Sequence, residues 1–257
     1  MLTKITAGAK ELPLSGRWDT EETVPASGHR TIRLRGSLVG SGPNARAMLR
    51  TAQAEFMRAV ELCSHSGGIV LLHSHMDDAE IRMPARYLGA KQVGDRGMAQ
   101  AGCIAELEFR CLSRFWLGAT VSATATLSSG TCSLTVSNVG TAPARPALIV
   151  RSASGYTGAV GIELEDGRTA EWTGTLEPDW AIIFDTSARQ VYRLFAPAAA
   201  TFPACPGNGA LATAELTDYA DWLSTDWGMA DGALVTVTAD PTATDLTAEL
   251  VHINHYY

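Results

Sequence analysis

The chain has 257 residues, 46% hydrophobic and 18% charged, with 24 Gly and 11 Pro. That length suits one large or two small domains of ~100–200 residues each, and it buries a sizeable core without metal or disulfide staples. No apolar run approaches the ~18 residues of a membrane helix, and the opening Met1-Leu2-Thr3-Lys4-Ile5-Thr6 turns polar too early for a signal-peptide core, so a soluble protein with no membrane insertion and no signal-directed export is expected.

The net charge of −7 is unevenly spread. Residues 1–118 hold 15 Lys+Arg against 12 Asp+Glu, a net of +3, whereas residues 119–257 hold 5 Arg, no Lys and 15 Asp+Glu, a net of −10. Such a shift marks a boundary near residue 118. It also argues against a grip on nucleic acid by the second half, since phosphate contacts need Lys/Arg clusters. A solvated acidic surface is the simpler use of these charges.

In chain order, residues 30–39 alternate, with Ile32 and Leu34 on one face and Arg33 and Arg35 on the other, as in a half-buried strand. Gly40-Ser41-Gly42-Pro43 breaks it, and Asn44 stands where a helix N-cap belongs. Over residues 45–62 the period changes: Met48, Leu49, Ala52, Phe56, Ala59 and Val60 recur at spacings of three and four, an amphipathic helix whose other face carries Arg46, Arg50, Gln53, Arg58 and Glu61. Residues 69–72 read as a buried strand, and 81–88 and 103–112 as two more. Beyond Gly118, short Thr/Val/Ser-rich runs at 120–127, 131–136, 147–152, 160–164, 168–172, 181–185, 190–195, 234–239 and 246–254 alternate with turn clusters. That spacing signals a β-sandwich or jelly roll. The Ala/Pro/Gly-rich stretch 196–214 reads as a long loop.

Chemistry-bearing motifs are sparse. Cys63, Cys103, Cys111, Cys132 and Cys205 are scattered without a CxxC pair, and read as reduced and mostly buried thiols rather than zinc ligands. Val70-Leu71-Leu72-His73-Ser74-His75-Met76-Asp77-Asp78 runs a strand into His-x-His-x-Asp, similar to the first metal-ligand motif of metallo-β-lactamase-like hydrolases. Alternation would align His73, His75 and Asp77 on one face. Against a metal-dependent hydrolase, that family's closing histidine is here Asp78, and the only later histidines are His252 and His255. A strand end with solvent-facing polar residues explains the motif as well. Ser152-Ala153-Ser154-Gly155 lacks the leading glycine of a nucleophile elbow, and Gly36-Ser37-Leu38-Val39-Gly40-Ser41-Gly42 lacks the Gly-Lys-Ser/Thr end of a phosphate loop. No catalytic centre and no cofactor is nominated. Among the aromatics of the β-rich half, Trp172, Trp180 and Trp222 are candidate platforms for a sugar ring or a partner, with core packing the alternative use.

Several segments together resemble the distal tail proteins of long-tailed (siphovirus-type) bacteriophages. The strand Arg30-Thr31-Ile32-Arg33-Leu34-Arg35-Gly36 resembles the opening strand of that family's belt domain, and Leu107-Glu108-Phe109 through Phe115-Trp116 resembles its closing segment. Asn138-Val139-Gly140 followed by Pro146 is similar to the Asn-x-Gly…Pro signature at the start of its second domain. Trp222-Leu223, the Asp231-Gly232 turn and the last two strands resemble the family's chain end, while the opening strands look shortened at Met1.

The resemblance implies a mainly β chain. Residues 1–118 would form an α+β belt-like, ring-forming domain, a β-sandwich with one helix, and residues 119–257 an all-β galectin-like or carbohydrate-binding-like sandwich. It further implies a non-enzymatic virion protein of the tail tip, assembled in the host cytoplasm. Its six-membered ring would join the tail tube to the tip, with DNA only in transit through the lumen. The implied partners are further copies of itself, tail tube, hub or tip and tape-measure proteins, and receptor-binding or fibre proteins, with a carbohydrate-binding module for host attachment as the alternative. Ring closure needs two different complementary edges. Arg33, Arg35, Gly36 and Arg46 are the expected ring-interface residues, and Asn138, Gly140 and Pro146 the turn that starts the second domain.

Overall fold

The computed structural model describes residues 2–14, 18–23, 30–39, 43–65, 67–94, 102–195, 210–211, 215–218, 222, 226–242 and 245–257. They gather into two compact units, Met1–Gly118 with Tyr257, and Ala119–Tyr256.

In the first unit, β1 (Lys4–Ala7), β2 (Lys10–Pro13), β3 (Trp18–Thr23), β4 (Thr31–Val39), β5 (Ile69–Met76), β6 (Ala79–Gly94) and β7 (Gly102–Cys111) pair antiparallel in the order β2-β1-β5-β6-β7-β4-β3. The β5–β6 hairpin closes through Asp77 and Asp78, both at positive φ, a conformation that Asp tolerates better than most residues. Period-two alternation buries Ile5, Ile32, Leu34, Val70, Leu72, Met83, Ala105, Leu107 and Phe109. Onto this face packs α1 (Ala45–His65), through Ala52, Phe56, Ala59 and Cys63 at i, i+4, i+7 and i+11. Its last turn is closed by Ser64 donating to the Val60 carbonyl, and Gly67 and Gly68, both at positive φ, then turn the chain away.

Four expectations change here. Strands β1, β2 and β3, none of them assigned from the sequence, precede residue 30. They are only four to six residues long, and sequences such as KELP and WDTEET carry no apolar alternation to announce them. The run 69–72 is not buried throughout: Ile69 is half exposed, because only Val70 and Leu72 of its alternate positions face the helix. The strand expected at 81–88 continues to Gly94 across a bulge at Leu88. On the helix, Met48 lies exposed rather than on the packed face.

The division between units falls within β8 (Trp116–Thr126). The second unit contains β9 (Thr131–Thr135), β10 (Ala147–Ser152), β11 (Tyr156–Leu164), β12 (Thr169–Leu176), β13 (Trp180–Asp185), β14 (Gln190–Phe195), β15 (Ala210–Leu211), β16 (Leu216–Asp218), β17 (Leu234–Ala239) and β18 (Leu246–Tyr256). One sheet runs β15-β14-β13-β10-β18-β8 and the other β16-β12-β11-β17-β9. Between them lies one apolar core, including Leu148, Val150, Val160, Ile162, Trp172, Ile182, Phe184, Trp222, Trp227, Val235, Val237 and Leu250. The chain is thus mainly β, with one long helix among the described residues. Of the expected loop 196–214, residues 196–209 and 212–214 lie outside the described residues, and 210–211 form β15.

Candidate functional site

Arg33 and Arg35 project from the face of β4 that points away from α1. Their cross-strand partners on β7 are carboxylates: Arg33 donates to Glu108 at 3.3 Å, and Arg35 reaches Glu106 with Nε at 2.9 Å and Nη2 at 2.7 Å. The Arg35 hydrogen bond holds the Glu106 carboxyl below its ordinary range and raises Arg35 in return. On β3, Asp19 stands opposite Arg35 and Glu21 opposite Arg33. The face is therefore a lattice of alternating sign rather than a cationic strip.

These positions correct the expected ring edge. β4 is flanked by β3 and β7, so its backbone is already paired on both sides, whereas among the described residues β2 and β3 each have a single partner strand. Gly36 makes room for an indole rather than for another subunit's backbone: a Cβ there would sit 2.8 Å from Trp18 Cε3. Trp18 in turn stacks on Phe56, ring centroids 6.3 Å apart, which ties β3 to α1. Arg46 belongs to α1, and its side chain lies outside the described residues.

Asn138, Gly140 and Pro146 lie along the loop between β9 and β10 of the second unit. Asn138 is buried; its side-chain oxygen accepts from Gly140 N at 3.0 Å and its Nδ2 donates to the Ala142 carbonyl at 2.9 Å, while its own N–H donates to Asp231 at 2.7 Å. A Cβ on Gly140 would lie 2.3 Å from the His255 carbonyl oxygen, a contact only glycine avoids. The Pro146 carbonyl accepts from Thr186 Oγ1 at 2.6 Å. Asp231 and His255 are far away in sequence, and no local signal announces them.

Two of the three tryptophan candidates are core residues. Trp172 and Trp222 are fully buried: Trp172 donates Nε1–H to Glu215 at 2.9 Å, and Trp222 packs on Phe184 and Trp227. A ring closed into the space between two sheets offers no face to a ligand, so neither is a stacking platform. Trp180 stays partly exposed, tilted against Phe195 with centroids 6.0 Å apart, and Phe195 is 59% exposed.

His73, His75 and Asp77 do not converge. His73 is buried between Glu80 Oε1, 2.6 Å from Nδ1, and Thr6 Oγ1, 2.9 Å from Nε2, so both ring nitrogens are occupied. His75 and Asp77 are exposed, with Asp77 in the hairpin turn. Among the described residues no group of three or more His, Cys, Asp or Glu side chains is arranged to hold a metal ion. Cys63 and Cys111 are buried thiols outside any disulfide, pushed up by burial to about 12 and about 11, and Cys132 is a half-buried one; Cys103 and Cys205 have no described side chains. No described helix is long and apolar enough to cross a membrane.

No family model matches the sequence, and neither does any curated protein. The fold does find relatives. The Dit (gp 19.1) protein of phage SPP1, described as a paradigm of the hub adsorption apparatus in phages infecting Gram-positive bacteria, aligns over 100% of both chains with a TM-score of 0.58 at 13% identity. The fold is that of a phage distal tail protein. Chains of the phage p2 baseplate in its activated conformation, with Ca or with Sr, align over 97% of each chain at 6% identity, with TM-scores of 0.43 and 0.42. The alignment with the distal-tail fold spans the β-rich chain from end to end.

Proposed function

We propose that this chain is a structural component of a phage tail, a distal tail protein whose copies close into a six-membered ring between the tail tube and the tip. The observation that carries the reading is the alignment of the distal-tail fold over the full length of both chains. Residues 1–118 form the ring and residues 119–257 point outward to the adsorption apparatus. The ring passes the genome through its lumen and meets tube, hub and tape-measure proteins along its axis. Its role is mechanical and positional, not catalytic. The exposed Arg33–Glu108 and Arg35–Glu106 pairs on the first unit support this reading, since such a charged surface suits contact with other proteins.

Native mass spectrometry of the purified chain and imaging of assembled tails test the proposal together. A six-copy species and density at the tube–tip junction are expected. A strictly monomeric chain that is absent from purified particles overturns it.

A further inference from the structure

The charge lattice on the outward face of the first sheet breaks at one place. Arg86 of β6 stands directly opposite Arg110 of β7, and Arg82 lies on the same face two alternate positions along β6. All three are exposed, and among the described residues no carboxylate lies within ion-pair reach of any of them. Like charges facing each other across a strand pair destabilise it. Around these arginines, large aliphatic side chains face solvent: Ile69, opposite Arg86, is 50% exposed, Leu112 50%, and Leu88, pushed out by the bulge, 45%. Beside Leu88 lies a hollow of about 210 Å³ lined by Arg33, Lys91, Glu106 and Glu108 among others.

Arginine interleaved with exposed aliphatic groups is the composition of a protein interface, whereas a phosphate-tracking surface has no use for Ile and Leu at its centre. The second unit shows the opposite composition. Phe195 is 59% exposed, and it pairs across strands with Trp180, which closes the segment Glu177-Pro178-Asp179-Trp180 with its two exposed carboxylates. We infer that the Arg82–Arg86–Arg110 patch of one copy docks the Glu177–Asp179–Phe195 patch of a neighbouring copy. Carboxylates would neutralise the opposed arginines while the phenyl ring covers Ile69 and Leu88. Two different patches make a heterologous contact, which closes into a ring where the rotation allows. This inference rests on the ring reading and adds to the ring formed by residues 1–118 a second contact, made by residues 177–195 of a neighbouring copy.

The test uses full-length protein and sedimentation equilibrium at low and high salt, with circular dichroism to verify folding; all substituted side chains are exposed. R86E/R110E and E177R/D179R each weaken self-association at least about tenfold, because each sets like charges against one another. Mixing the two reversed variants restores association, since each then meets a matching surface. Wild-type association by R86E/R110E, or loss in both variants without recovery on mixing, overturns the inference while leaving the ring reading intact. A wild-type chain that stays monomeric at all concentrations overturns the ring reading itself. Unchanged self-association together with arginine-dependent binding of duplex DNA assigns the patch to nucleic acid and refutes the docking.

Discussion

Asn138→Ala removes a side chain whose every polar atom is engaged by the loop it closes. Its oxygen satisfies the Gly140 N–H and its Nδ2 satisfies the Ala142 carbonyl, both inside a buried site. Each intramolecular hydrogen bond contributes about 0.5–1.5 kcal/mol net, and a buried donor left without a partner costs about 1–3 kcal/mol. Gly140 N and Ala142 O are backbone groups and stay behind after the substitution, so a loss of about 2–4 kcal/mol is expected. The Asp231 contact is made to the Asn138 main-chain N–H and survives, which limits the damage to the loop. Asn138→Asp preserves the acceptor toward Gly140 but loses the donor and sets a second carboxylate near Asp231, so it should cost at least as much at neutral pH. Urea unfolding followed by tryptophan fluorescence suits the measurement, since Trp172, Trp180, Trp222 and Trp227 all lie in the second unit. An Asn138→Ala protein within about 0.5 kcal/mol of wild type, the range typical of an indifferent surface site, would refute this account of the loop.

Phe56→Ala empties a buried position between α1 and Trp18, and a loss of about 3–5 kcal/mol in chemical denaturation is expected. Trp172→Ala should cost a similar amount, whereas Trp180→Ala, partly exposed, should cost clearly less; equal losses would contradict the assignment of Trp172 to the core. His252 and His255 are both held below the ordinary imidazole range, first of all by burial, and Arg145 adds repulsion at His255. The unfolded chain therefore binds more protons than the folded one, so their contribution is present above pH ~6.5 and is lost as pH falls below it toward the lowered folded values. The urea midpoint should drop between pH 7 and 5.5, ahead of the carboxylates, and a His252→Gln/His255→Gln protein should show a flatter profile.

Most strands of the second unit are legible because they are alternating or β-branched runs bounded by Gly, Asp or Ser turns; 147–152, 190–195 and 234–239 have the observed limits, whereas β15 and β16, two and three residues long, carry no such pattern. The helix is legible because Ala52, Phe56 and Ala59 repeat at its period. β1, β2 and β3 are not legible, since their order comes from pairing with β5 and β4 rather than from any pattern of their own. The site residues divide the same way. That Arg33 and Arg35 face outward follows from alternation, but that β4 is an interior strand depends on β3 and β7, which lie on either side of it in sequence and reach it only in the fold. Nor can a string of residues separate Trp180 from Trp172 and Trp222: all three are bulky and apolar, and exposure is set by which sheet face and strand end each occupies.

The outward Arg–Glu pairs bear on function through what they do not supply. Arg33–Glu108 and Arg35–Glu106 are exposed, with side chains retaining 20–54% of their accessibility, and such pairs contribute about 0–1 kcal/mol each. A sheet whose other face already buries Leu34, Leu107 and Phe109 under a helix gains little folding stability from them. What the lattice does supply is selectivity. A partner approaching it must match a pattern of alternating signs, and any mismatch sets like charges together at a cost of several kcal/mol. The same surface is neutral in sum at the paired positions, so a passing polyanion finds no continuous field there to hold it. A face that discriminates among protein partners while offering a polyanion no continuous field fits the tail role proposed above.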